Sequence, residues 1–329
     1  MRTGAVMAVM GVLLGACGGG APSVSRTTTT TAGLHSHSAA APCGTMALSS
    51  THYDHVIWVW MENHSYDSII GSPDATYINQ LAHSCGLATN YHNVSHPSLP
   101  NYVAATSGLP LASLAPFTSD CDPSPACSAP GPSIFSQGES WKAYEESMPA
   151  NCDKDSAGEY AVRHNPPAYF SSLLFCKPRS LTAQAPAVSF DVPYTELASD
   201  IAADTLPAFA FVTPNLVDDM HDGTVAEGDE WLATNLPSIF SSPQYTSGHV
   251  AVFVTWDEGE GGASSDCATN TTDAGCHVAT IVASPSTTAT SSGTLFNHYS
   301  LLHTAEQLLG LPLLGQAAGA TSMVSAFNL

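Results

Sequence analysis

A chain of 329 residues, 44% hydrophobic and 11% charged, is long and apolar enough to bury one large α/β core. Its 7 Lys+Arg face 28 Asp+Glu, a formal charge of −21. Such a surface repels polyanions and argues against nucleic acid as a partner, while leaving room for a small phosphoester whose pocket is made locally positive by a bound cation.

The chain opens on a leader. Met1-Arg2-Thr3 carries one positive charge, and Ala5 to Ala16 is a mostly apolar run too short to span a bilayer as a helix. Residues 1–16 read as a signal peptide, and Leu14-Gly15-Ala16-Cys17 resembles a bacterial lipobox in which Cys17 becomes a lipidated first residue. The expected location is the bacterial cell envelope, anchored by lipid; an ordinary signal peptide cleaved near Ala16 and a secreted product is the alternative. Residues 17–45 are rich in Gly, Ser and Thr and read as a flexible tether, with His35 and His37 inside it. Setting Cys17 aside, eight of the nine cysteines remain, an even number in an exported chain. Short spacings suggest the bridges Cys121–Cys127 and Cys267–Cys276, after which Cys152–Cys176 and Cys43–Cys85 follow.

The catalytic domain is expected over residues 46–316, with 317–329 as a tail. Tyr53 to Trp60 is a near-continuous β-branched and aromatic run, as a central parallel strand requires. It ends in Met61-Glu62-Asn63-His64-Ser65-Tyr66-Asp67. A helix over Ala75 to Ser84 and a strand over Gly86 to Asn93 lead into His96-Pro97-Ser98-Leu99-Pro100-Asn101-Tyr102. The residue before a proline is pushed to extended geometry, and Pro100 fits a first helical turn, so Ser98 is placed at or just before a helix that Gly108 stops. Leu109 to Gly138 is a stapled excursion. Ser140 to Ser147 reads as a strand, and Tyr160 to Pro166 as a polar knot. Tyr194 to Ala203 is expected to be helical. Pro207 to Thr213 is a buried strand ending near Asp218-Asp219-Met220-His221-Asp222. Glu227 to Phe240 is a helix, and His249 to Trp256 a third buried strand ending in Asp257-Glu258-Gly259. His277 to Ala283 is a fourth strand, and Asn297 to Leu309 a helix with His298 at its start. The alternation predicts a mostly parallel sheet with helices on both faces, its polar strand ends meeting at one edge.

Those ends carry chemistry. Glu62-Asn63 and Asp257-Glu258 are oxygen-donor pairs suited to a hard divalent cation. Asp219, His221 and Asp222 offer further ligands or a general acid. Ser98 at a helix N-terminus is either a cap or a nucleophile in a site that favours negative charge.

With these residues in order, the sequence resembles the bacterial and fungal phosphoesterase family of acid phosphatases and phosphatidylcholine-type phospholipases C, within the alkaline phosphatase-like superfamily. The resemblance rests on the segments beginning at Met61, His96, Thr213, Thr255 and Asn297 and covers roughly Asp54 to Pro312. It implies a three-layer α/β/α sandwich. It implies that Glu62, Asn63, Ser98, Asp257 and Glu258 surround one divalent metal ion (Ca, Mg, Mn, Fe or Zn), with Ser98 as nucleophile. His221 and His298 would bind phosphate or protonate the leaving group, and Asn101 would hold a phosphoryl oxygen. His96, Arg163, His164 and Asp222 would border the substrate. Relatives with two zinc ions carry Asp-His where Asp257-Glu258 stands and Asp where Glu62 stands, which favours one metal. The implied activity is a phosphomonoesterase acting through a phosphoserine, on a small phosphoester or a phospholipid. The alternatives are a phospholipase C or other phosphodiesterase, and, outside the enzymes, a metal- or phosphate-binding lipoprotein without turnover. Oligomeric state is not legible.

Overall fold

The structure is a computed structural model that describes residues 42–47, 53–173, 190–262 and 264–329. The leader, Cys17, the tether up to residue 41 with its two histidines, and Cys176 lie outside the described residues.

Among the described residues, nine strands form one sheet. In chain order they are β1 (His55–Met61), β2 (Gly86–His92), β3 (Trp141–Glu145), β4 (Asp191–Pro193), β5 (Phe209–Thr213), β6 (Val250–Trp256), β7 (His277–Ala283), β8 (Thr290–Ser292) and β9 (Phe296–Asn297). The helices are α1 (Tyr66–Ile69), α2 (Thr76–Ser84), α3 (Ser98–Ser107), α4 (Glu196–Ala203), α5 (Val225–Phe240), α6 (Pro243–Thr246), α7 (His298–Leu308) and α8 (Val324–Phe327). The strand order is β4-β3-β5-β1-β6-β7-β2-β8, with β9 beside β2. β1 lies between β5 and β6, parallel to both. Only β7, among these strands, runs antiparallel to its neighbours β6 and β2. The expected mostly parallel sheet is present, and β7 is the strand whose direction composition did not reveal.

β1 is central because both its faces are apolar. From Val56 to Met61 every residue is buried. Trp58 and Trp60 project to one face, where they meet Phe209 and Phe211 of β5 and Tyr102 of α3. Helices α3 and α7 pack together as one layer, and α2 and α5 as another. Fully burying an aromatic or branched aliphatic side chain contributes about 1.5–3 kcal/mol, so these strands anchor the site on a well-buried base. Gly108 ends α3 in the left-handed conformation, and a β-carbon there would lie 2.3 Å from the Leu314 carbonyl oxygen.

Three expected disulfides are formed: Cys43–Cys85, Cys121–Cys127 and Cys267–Cys276. Residues 317–329 were expected to be a tail, but Ala317, Met323, Phe327 and Leu329 are buried and Asn328 holds Ser286. Their apolar spacing is too short to announce a helix, so α8 is not visible in the sequence. No helix among the described residues is long and apolar enough to cross a membrane.

Candidate active site

The carboxyl ends of β5, β1 and β6 lie side by side, and backbone hydrogen bonds continue past them. The Glu62 N–H donates to the Asp219 carbonyl oxygen at 2.8 Å, and the Asp257 N–H donates to the Met61 carbonyl oxygen at 2.9 Å. Three acidic residues therefore leave the sheet at one level. Asn63 then turns at φ +54°, a left-handed conformation that asparagine tolerates, and its N–H donates to Asp257 Oδ1 at 3.0 Å.

Ser98 arrives from the other side as the first residue of α3. The loop before it is held by Asn101, whose Oδ1 accepts from the N–H groups of Val94 (2.9 Å) and Ser95 (3.0 Å) and whose Nδ2 donates to the Ser95 carbonyl oxygen (2.8 Å). Ser98 Oγ donates to Glu62 Oε2 at 3.0 Å. Tyr102, one turn later, donates its hydroxyl to Glu62 Oε1. The Tyr102 ring lies parallel to His164, centroids 5.4 Å apart.

His164 donates from Nδ1 to Asp219 Oδ2 at 3.1 Å, and its Nε2 stands 3.5 Å from Glu62 Oε2. Arg163 donates from Nη2 to His221 Nε2 at 2.9 Å, while His221 Nδ1 meets Asp222 Oδ1 at 2.7 Å. A guanidinium only donates, so Nε2 accepts and the His221 proton lies on Nδ1. Across the site, His96 Nδ1 pairs with Glu258 Oε2 at 2.7 Å.

Burial sets the electrostatics. Glu62 is held well above the usual carboxylate range by burial and then by the charges of Asp257 and Asp219. Asp257 is raised by burial and then by Glu258, and Asp219 by burial against the opposing pull of the His221 N–H. Glu258 is pushed up to about 8 by burial and then by Asp120. Burial holds His164 well below its ordinary value, with Arg163 and His221 adding to the effect.

The Phosphoesterase family model matches residues 72–312. The chain belongs to the phosphoesterase family. It is a hydrolase of phosphoric esters. It is 32% identical over 271 residues to the phosphatidylinositol-3-phosphatase of Mycobacterium tuberculosis, covering 82% of this chain and 81% of that one. It is 24% identical over 286 residues to the phosphate-repressible acid phosphatase of Penicillium chrysogenum, covering 80% of this chain and 61% of that enzyme. Among solved structures, a protein of the alkaline phosphatase superfamily from Vibrio parahaemolyticus superimposes with a TM-score of 0.52 at 11% identity, over 83% of this chain and 71% of that one. That likeness concerns the fold.

A divalent cation fits this family member's cluster on its own chemistry. Asp257 Oδ2 and His164 Nε2 are buried without a hydrogen-bond partner. Glu62, Asp219 and Asp257 are essentially removed from solvent; the charges of Asp257 and Asp219 raise Glu62, and that of Asp257 raises Asp219, a repulsion that a bound cation offsets. Glu62, His164 and His221 also lie close enough for their ligand atoms to share one ion.

The positions of the expected residues differ in kind. Glu62, Asn63, Ser98 and Asp257 are brought together as the sequence suggested. Glu258 is tied to His96. Asn101 has both ends of its amide committed to the loop, so it shapes the approach to Ser98. His298 was expected at the phosphate, yet its Nε2 donates to the Asp257 carbonyl oxygen (2.7 Å) and its Nδ1 accepts from the Tyr91 hydroxyl (3.0 Å). Both nitrogens are used because the start of α7 lies between the Asp257 carbonyl, just past β6, and the Tyr91 hydroxyl of β2. Tyr102 was not foreseen as a site residue. Its signal was the four-residue spacing from Ser98, which puts both on one helix face.

Proposed function

We propose that the protein is an exported, metal-dependent phosphomonoesterase that works through a phosphoserine at Ser98. The observation carrying this reading is the Ser98–Glu62 hydrogen bond at a helix N-terminus, inside a buried carboxylate cluster. The names of the relatives, a phosphatidylinositol-3-phosphatase and an acid phosphatase, support monoesters as the substrate class. The disulfides fit an oxidising compartment, and export with a lipid anchor at Cys17 follows from the leader.

Glu62, Asn63, Ser98 and Asp257, with Glu258 and His164 at the margins, would hold the cation. When bound, it would lower the pKa of the Ser98 hydroxyl and offset charge on the phosphoryl oxygens. The protein's own groups do the rest. Glu62 Oε2, which accepts the Ser98 Oγ–H, takes that proton as Oγ bonds to phosphorus and the ester P–O bond breaks, the departing oxygen gaining a proton from solvent. The α3 N-terminus and Arg163 favour the anionic phosphoryl group. His221 is oriented by Asp222 at Nδ1 and bonded by Arg163 at Nε2; with Arg163 turned to the phosphoryl group, Nε2 is free to take a proton from the water that cleaves the phosphoserine, and that proton passes to Ser98 Oγ as the P–Oγ bond breaks. Asp257 is held through its backbone by His298.

The test is product release from a chromogenic monoester, a diester and phosphatidylcholine side by side, with and without chelator. Metal-restorable hydrolysis of the monoester alone supports the reading. Equal or faster diester cleavage contradicts it.

A further inference from the structure

One acidic side chain near the nucleophile belongs neither to the carboxylate cluster nor to the polar knot. Asp120 comes from the stapled excursion between α3 and β3. Its Oδ1 accepts the Leu99 N–H at 3.0 Å, directly after Ser98. That N–H is one of the donors a helix N-terminus offers to an anion, and Pro97 at the cap position supplies no side-chain acceptor for it. Asp120 also lies within electrostatic reach of Arg163 and His221, and its charge is felt by Glu258. The half-buried carboxylate thus stands among the groups on which the phosphoryl oxygens of a monoester bound to Ser98 would rest.

Its placement is built into the chain. Asp120 adopts φ +48°. The next residue, Cys121, is bridged to Cys127, and the Cys121 carbonyl oxygen accepts from the Tyr169 hydroxyl at 2.9 Å. The loop is pinned on both counts, so the carboxylate is presented to α3 rather than swept into solvent.

We propose that Asp120 is a specificity-determining residue, an internal anion that occupies the phosphate seat between the Leu99 N–H and Arg163 and competes with weakly held free phosphate. An esterified phosphate gains further contacts from its organic group and displaces the carboxylate. Inorganic phosphate lacks those contacts and is kept off, which limits product inhibition. This inference rests on Ser98 being the phosphorylated residue.

The experiment measures the competitive inhibition constant of inorganic phosphate for wild type, Asp120→Asn, Asp120→Ala and Asp120→Glu, with a chromogenic monoester as reporter and calorimetric phosphate binding alongside. Asn keeps an acceptor for the Leu99 N–H and removes the charge, so it separates charge from capping and guards against an Ala variant that fails to fold. Phosphate should inhibit Asp120→Asn and Asp120→Ala at least about tenfold more tightly than wild type, because a like charge within a few ångströms of the seat has been removed. Asp120→Glu should return toward wild type. Unchanged or weaker phosphate inhibition in folded Asp120→Asn overturns the proposal and leaves Asp120 as a cap. If wild type hydrolyses the monoester and this result is obtained, only the role of Asp120 falls. If wild type neither turns over nor binds phosphate, the reading of the site and this inference fall together.

Discussion

His298 Nε2 donates to the carbonyl oxygen of Asp257 at 2.7 Å, fixing from behind the residue whose carboxylate faces Ser98 and Asn63. Burial lowers His298 to about 4, so the ring stays neutral through mildly acidic conditions and the bond persists. Its tautomer is set, because the carbonyl accepts at Nε2 and Tyr91 donates at Nδ1. A histidine at a helix start reads as a ligand in sequence, and in space it is a support.

Replacing His298 by Ala should therefore release Asp257. Activity and metal affinity should fall together by roughly 10–100-fold, the range seen when groups that orient metal ligands are removed. Metal titration of the variant checks this. Lost turnover with unchanged metal affinity would place His298 at the substrate instead.

Tyr102→Phe removes one donor from Glu62 while keeping the ring against His164. A hydrogen bond to a charged group contributes about 1.5–3 kcal/mol, so turnover should drop by about one to two orders of magnitude with little change in melting temperature. Steady-state kinetics and a thermal scan on the same preparation separate the two effects.

Gly262 tests the His96–Glu258 pair. A β-carbon at Gly262 would lie 2.0 Å from His96 Nε2, and His96 holds Glu258 at 2.7 Å. Gly262→Ala should push the imidazole away and depress activity at least about tenfold, while circular dichroism stays that of wild type. Rescue by His96→Ala in the same chain would not be expected, since the pair itself is then gone.

Stability should depend on pH in a direction that Glu306 helps to set. Its carboxylate on α7 accepts the Leu314 N–H at 3.1 and 3.2 Å, and burial pushes it up to about 7 from an ordinary 4.5. The folded state binds this proton more tightly than the unfolded chain, so stability falls as pH rises from about 4.5 to about 7 and levels off above. Glu306→Gln stays neutral throughout. The difference in melting temperature between variant and wild type should shift in the variant's favour across that window, as read by thermal scans at several pH values. A difference that is flat with pH would contradict the assignment.

Much of this architecture is legible in the chain because its strands are buried on both faces. Runs such as Val56 to Trp60 and Val250 to Trp256 admit few other readings, and their polar ends mark the edge where ligands gather. The short strands β4, β8 and β9 were not legible, because two or three residues carry no periodicity and are set by the neighbours they pair with. The direction of β7 was hidden for a related reason: a fully buried strand has the same composition whichever way it runs. Within the site, residue types pointed to the carboxylates and to Ser98. The commitments of Asn101 and His298 were not legible: Asn101 bonds the backbone of the irregular loop six and seven residues before it, and His298 a carbonyl oxygen of a distant element, and neither leaves a trace in periodic spacing.

The central claim is that Ser98 carries the phosphoryl group. Its most direct measurement is mass spectrometry of peptides from enzyme acid-quenched during turnover of a monoester. Phosphate should appear on the Ser98 peptide, and Ser98→Ala should lose both the label and several orders of magnitude in turnover while keeping its fold. A Ser98→Ala variant that hydrolyses the monoester near the wild-type rate, with no label on Ser98 in wild type, would contradict the account and leave Ser98 as the first residue of a helix, with water as the direct attacker.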